Sequence, residues 1–134
     1  LGVAMEKTGT AAYLANQIVA RVGESDPFWL LSGFFALTVL LTQPMSNQAA
    51  AVVVLPIAIQ TAGQLGLNPR TFAMTIALAA SCSYLTPLEP ACLIVYGPGE
   101  YRFSDFLKVG SLLTLVIYGL TMFRAPMVWP LSDV

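Results

Sequence analysis

The sequence predicts an all-α integral membrane protein, and three observations lead there. Of 134 residues, 57% are hydrophobic and 10% are charged, against roughly 25% charged in an average soluble domain. Six Lys/Arg and seven Asp/Glu are too few to supply a soluble exterior. The charges are also missing from long stretches: none falls between Pro27 and Pro69, between Thr71 and Leu88, or between Val109 and Phe123, and about 20 apolar residues suffice for a helix to cross a bilayer. Small residues and prolines punctuate these stretches, as in packed and interrupted membrane helices.

The same composition excludes several classes. Net charge is −1 with no basic run, so a nucleic-acid partner has no electrostatic footprint. No histidine occurs, which removes a Ser-His triad from Ser46, Ser81 and Ser83 and makes a zinc site implausible. Cys82 and Cys92 read as small apolar helix residues, not as a disulfide scaffold. Gly97-Pro98-Gly99 follows no strand and reads as a loop, not a phosphate cradle. The chain starts at Leu1 without a signal-peptide pattern, and it reads as a piece of a longer membrane protein.

Residues Val3 to Val22 predict one helix with mixed faces. Ala4, Ala11, Leu14, Ile18 and Val22 recur at helical spacing, and Glu6, Lys7, Asn16, Gln17 and Arg21 supply polarity. That suits an interfacial arm over 1–23. Gly23 stops it and Pro27 opens the next helix.

Phe28 to Leu41 is apolar but short, about 21 Å at 1.5 Å per residue, against a hydrocarbon core of roughly 30 Å. A polar, uncharged stretch from Thr42 to Gln48 follows, then a second apolar helix from Ala49 to about Ala62 that contains Pro56. Two short spans joined by an exposed turn would fit. A re-entrant helical hairpin over 28–63, its tip near mid-membrane, fits better, because an aqueous loop usually acquires charge and this one has none.

Asn68-Pro69 predicts a helix start, and Thr71 to Thr86 a helix whose small residues (Ala73, Ala77, Ala79, Ala80, Ser81, Ser83) allow close packing. Thr86-Pro87-Leu88-Glu89-Pro90 interrupts it before a short continuation through Ala91 to Tyr96, giving a broken helix over 70–97. After a polar loop, Ser104 and Asp105 suit a cap, and Phe106 to Phe123 a full span within 104–125, with Trp129 at the interfacial belt. Arg70, Arg102, Lys108 and Arg124 balance across the boundaries, so the charges leave orientation open.

Two constellations could carry function. The Thr42–Gln48 tip offers hydroxyl, amide and freed carbonyl oxygens suited to an alkali cation. The helix beginning near Ser46 turns its N–H groups and positive dipole end toward an anion. Read structurally, Ser46 is simply a helix cap. At the break, Glu89 is an acid flanked by apolar helices, a residue that faces a cavity or a cation when buried and is merely solvated at a surface.

Ala4-Met5-Glu6-Lys7-Thr8-Gly9, Ser46-Asn47, Thr86-Pro87 and above all the run from Tyr96 to Phe106 resemble, in order and spacing, the divalent anion/sodium symporter family, the sodium-coupled sulfate and dicarboxylate carriers with a citrate-transporter-like domain. The resemblance covers nearly the whole chain. It implies a transporter of two inverted repeats, of which 1–134 is the C-terminal half: arm helix, re-entrant hairpin, broken helix and last transmembrane helix. It further implies a multi-pass protein of the plasma (bacterial inner) membrane, a small inorganic or organic anion as substrate, sodium as coupling ion, the N-terminal half of the same transporter as partner, and a homodimer. Carried onto this chain, the substrate contacts fall on Ser46, Asn47, Gln48 and Pro90, and the cation contacts on Thr42, Met45, Asn47, Leu88 and Glu89. Gln48 stands where the family carries Thr, Glu89 where a small residue is common, and Cys92 where Asn is common. The break is also one residue shorter than the family pattern. The acid at Glu89 adds a proton to the candidate coupling ions. It also keeps open a sodium/proton antiporter or oxyanion exporter, while a non-transporting membrane anchor or assembly module remains the alternative of another class.

Overall fold

In a computed structural model, residues 4, 7–22 and 26–131 are described. They form six helices and, among the described residues, no sheet: α1 (Thr10–Val22), α2 (Pro27–Thr42), α3 (Asn47–Gln64), α4 (Pro69–Ala80), α5 (Pro90–Tyr96) and α6 (Phe103–Val128).

α2 sits at the centre. Pro27 occupies its first turn, where a missing N–H costs nothing and the fixed φ already suits a helix. Apolar side chains all around it bury Leu30, Leu31, Phe34, Phe35, Leu37, Val39 and Leu41 against α1, α3, α4 and α6, as expected of a helix with no polar face. Its buried Thr38 hydroxyl bonds back to Phe34 O at 2.7 Å. α3 presents the stripe Ala50, Val54, Ala58, Ala62 at four-residue spacing, and α4 presents Phe72, Ile76 and Ala79. The alanines let these helices approach closely, and the Phe34 and Phe72 rings meet edge to face at 6.0 Å.

The turn between α3 and α4 is built from local chemistry. Gly66, at φ +66°, ends α3; Leu67 N donates to Ala62 O at 2.8 Å and Gly66 N to Gly63 O at 3.4 Å, the paired bonds of a glycine-terminated helix. Asn68 then caps α4 by accepting from Arg70 N at 3.0 Å. The tail after α6 closes over this corner: Asn68 N donates to Leu131 O at 2.9 Å and Thr71 Oγ1 to Trp129 O at 2.8 Å.

α6 is the one helix among the described residues long and apolar enough to cross a membrane. Its 26 residues reach about 39 Å. Only Gly110, Thr121, Met122 and Ala125 are buried, while Val109, Leu112, Leu115, Val116, Leu120 and Phe123 stand exposed, an apolar surface suited to lipid or to further protein. α6 is held to the core by Tyr118, whose ring packs on Phe35 at 5.3 Å and whose hydroxyl meets Ser32 Oγ at 2.5 Å. It is also held by a close approach at Gly110, where a Cβ would lie 2.1 Å from Tyr84 O.

Several element boundaries differ from the sequence reading, among them the end of α6, which runs past Phe123 to Val128 with Pro126 inside it. The arm is not one helix from Val3: Gly9, at φ +67°, separates an initial turn closed by Thr8 N to Ala4 O at 2.9 Å from α1. Gly23, the expected stop, lies outside the described residues. α3 begins at Asn47, two residues early, because Ser46 caps it by accepting from Ala49 N at 3.3 Å. α4 ends at Ala80, not at Thr86. Pro87 has no N–H to continue the ladder and biases Thr86 away from helical backbone, and the Ser81 and Cys82 side chains bond back to Ala77 O and Leu78 O. α6 starts at Phe103, because Asp105 reaches back to accept from Arg102 N at 2.8 Å, a carboxylate at the third position closing the first turn.

The close approach at Gly110 yields a test. Gly110→Ala must push α6 off the Tyr84 carbonyl, a change expected to cost about 1–3 kcal/mol. Gly119→Ala, where a new Cβ meets nothing within 4 Å, should leave stability unchanged. Thermal unfolding of the detergent-solubilised protein compares the two, and an unshifted Gly110→Ala midpoint would contradict the packing described.

Candidate functional site

Two interruptions of helix, one between α2 and α3 and one between α4 and α5, face each other across a cavity of about 430 Å³. Its walls are the whole tip from Thr42 to Gln48 on one side and Leu88, Glu89 and Pro90 on the other. Every residue singled out in the sequence for anion or cation contact lies on these walls. Thr42 and Met45 are buried, Asn47 and Glu89 half-buried, and Ser46, Gln48, Leu88 and Pro90 exposed.

The α2 side begins with a helix end that satisfies itself. The final carbonyls of a helix lack intrahelical partners. Here Val39 O accepts from the Thr42 hydroxyl at 2.8 Å and from Gln43 Nε2 at 2.9 Å, and Leu41 O accepts from Met45 N at 3.2 Å. Gln43 then bridges to the other interruption. Its Nε2 also lies 3.3 Å from Cys82 O, just past the end of α4, and its Oε1 accepts from Thr86 Oγ1 at 3.2 Å. One amide, with two N–H donors and a carbonyl acceptor, therefore ties the tip to two points of the break.

The second bridge is Asn47 to Glu89. Asn47 is the first residue of α3, and its Nδ2 donates to Glu89 Oε1 at 3.0 Å. The other carboxylate oxygen accepts from Ser83 Oγ, a hydroxyl that is itself buried. Glu89 is the only charged side chain among the described lining residues. A negative group beside the first turn of α3 is favoured by the helix dipole. The end of α2, at Thr42, brings the opposite partial charge to the same cavity. The cavity thus offers an anion-favouring end and a cation-favouring end with a single formal charge.

Ser46 is a helix cap in this arrangement, the structural reading of that residue, and it also lines the cavity. Gln43 and Thr86, which the sequence marks as part of the tip and of the break without giving them a contact, join the polar network around the cavity, as does Ser83. Ser83 is the one the sequence does not single out: it stands as a packing residue among alanines, and nothing distinguishes it from Ser81, whose hydroxyl bonds back within α4.

Comparison with known proteins gives the chain's family. A family model described as "Citrate transporter" matches residues 1–132. An uncharacterized transporter of Synechocystis sp. is 43% identical over 87% of the chain, and the uncharacterized transporter YfbS of Escherichia coli is 36% identical over 96%. "Sodium/sulfate cotransporter 2" of Chlamydomonas reinhardtii is 32% identical over 83% of the chain. The chain spans 19%, 21% and 13% of the lengths of these three relatives. With the match running from end to end, the chain belongs to the citrate transporter family of membrane transporters.

Proposed function

We propose that the cavity between tip and break is one wall of a binding site for a divalent anion, sulfate or a dicarboxylate, and for sodium. It would serve secondary active transport across the plasma (bacterial inner) membrane. The observation that carries this reading is the contact of Asn47 with Glu89 across the cavity, at 3.0 Å, which unites the two interruptions in a single polar site. The similarity to a protein named a sodium/sulfate cotransporter supports the choice of ions.

In this reading α2 and α3 form a re-entrant hairpin. α2 is 16 residues long, about 24 Å, which falls short of the roughly 30 Å core and sets the tip within the membrane. Non-helical backbone at that depth requires protein or a water-filled cavity around it. α4 and α5 are the halves of one broken helix, and α6 is the last of several spans. Ser46, Asn47, Gln48 and Pro90 face the anion. Thr42, Met45, Asn47, Leu88 and Glu89 supply oxygen to sodium, Met45 and Leu88 through their carbonyls. The hydroxyl proton of Thr42 is directed at Val39 O, so its lone pairs are what it offers a cation. The N-terminal half of the same transporter supplies the facing wall, and two such transporters form a homodimer. Transport on this account needs no enzyme chemistry and no cofactor beyond the ion.

Uptake of labelled sulfate, succinate and citrate into proteoliposomes by the full-length transporter tests this, with a sodium gradient and then a proton gradient. Sodium-driven uptake of one of these anions is expected, and Asn47→Ala should lower its efficiency by about 10- to 100-fold, the range of a hydrogen bond to a charged group. Flux driven by protons and lost in Glu89→Gln would instead favour the antiporter or exporter reading. No flux under either gradient from folded protein would favour a non-transporting module. Gln43 acts in the same reading as a positioning residue. Gln43→Ala should weaken apparent affinity for sodium and for the anion together and lower stability by about 1–3 kcal/mol. An effect on stability alone would confine Gln43 to folding.

A further inference from the structure

Glu89 holds a donor that an incoming anion would need. One carboxylate oxygen accepts from Asn47 Nδ2 on the cavity wall and the other from the buried Ser83 Oγ; a bound carboxylate or sulfate would make the first of these bonds with the same amide. It lies beside the first turn of α3, where negative charge is favoured. The chain holds it there: Pro87 and Pro90 flank it with fixed φ and no N–H, and Thr86 is tied to Gln43. No Lys or Arg is among the described residues lining the cavity. A divalent anion entering the cavity therefore meets Glu89 both as a like charge and as a rival for the Asn47 amide.

We propose that Glu89 is a tethered competitor of the transported anion: its carboxylate occupies Asn47 while the cavity is unloaded, and a sodium ion drawn onto that carboxylate releases the amide to the anion. This rests on the assignment of Asn47 to anion binding made under the proposed function. The exchange makes and breaks only hydrogen bonds and ion contacts. Sodium then raises anion affinity through Glu89, in two ways: it cancels the repulsion, and it frees a donor. Glu89→Gln removes the repulsion and weakens the hold on Asn47, because its amide oxygen still accepts but without the charge. Glu89→Asp keeps the charge but withdraws it by one methylene, which weakens the hold on Asn47 while leaving the repulsion in place.

Equilibrium binding of labelled sulfate, succinate and citrate to the purified full-length transporter, at low and at high sodium, tests the proposal. For the anion that binds wild type, Glu89→Gln should lower the Kd at low sodium by about tenfold, the competition of one charge-assisted hydrogen bond. The sodium dependence of that Kd should largely disappear. Glu89→Asp should fall between wild type and Glu89→Gln at low sodium. If wild type binds an anion but Glu89→Gln leaves its Kd and sodium dependence unchanged, or weakens binding at both sodium levels, the proposal is overturned while the anion-site reading stands. If wild type binds none of the three anions at either sodium level, the anion-site reading fails first and the proposal fails with it. Should Glu89→Gln not fold, Glu89→Asp decides: a lowered Kd at low sodium supports the competition, and an unchanged or raised one overturns it.

Discussion

The structure depends on one constraint: a helix interrupted among apolar neighbours must find partners for the backbone groups it frees. This chain has two such interruptions and lets each complete the other. Gln43 reaches from the end of α2 to Cys82 O and Thr86, and Asn47, at the start of α3, reaches Glu89. Those bonds require the tip and the break to stand side by side, and the packing arranges it. The alanine stripes of α3 and α4 allow their close contact, α2 buries apolar side chains against both, and Gly110 lets α6 lie directly on the Tyr84 carbonyl. The tail over Asn68 and Thr71 closes the opposite corner.

The same arrangement gives the proposed ion site a physical basis: a wall with one formal charge offers favourable ends for both signs. α3 starts at the cavity and α2 ends there, so backbone dipoles supply a positive and a negative end without further charged side chains. In an apolar setting this is less costly than burying ion pairs, whose desolvation can exceed their attraction. Glu89 is the exception, and its two hydrogen bonds are what make a half-buried carboxylate tenable.

Much of this was legible in the sequence, because the signals were local. The 43-residue run without charge, with a polar centre from Thr42 to Gln48, marks α2, the tip and α3. The two prolines around Glu89 mark the break, and the long apolar run before Arg124 marks α6. The residues lining the cavity also fall in the two stretches that the residue pattern marks, Thr42 to Gln48 and Thr86 to Pro90, while the family resemblance supplies their individual roles. What could not be read was pairing across the chain. Gln43 and Cys82 are 39 residues apart, and Asn47 and Glu89 are 42 apart; no periodicity encodes such a contact. Past the end of α4, besides the local effect of Pro87, Ser83 bonds to Glu89 and Thr86 to the distant Gln43 instead of continuing a helix. Gly110 looked like any small residue in a membrane helix, and only the Tyr84 carbonyl above it shows why a side chain is excluded.

The central claim is that tip and break form a single ion site. Thiol labelling tests it most directly, because each wall has a lining residue that is exposed and offers no side-chain contact to the ions: Pro44 and Leu88. With the native cysteines of the full-length transporter, Cys82 and Cys92 among them, first replaced by alanine, Pro44→Cys and Leu88→Cys would each be reacted with a water-soluble maleimide. The reaction would be run with and without sodium and the transported anion. The account predicts that both positions react in the empty transporter, and that sodium with the anion protects both over the same concentration range. Protection of one position without the other, or labelling indifferent to the ions at both, would contradict a shared site.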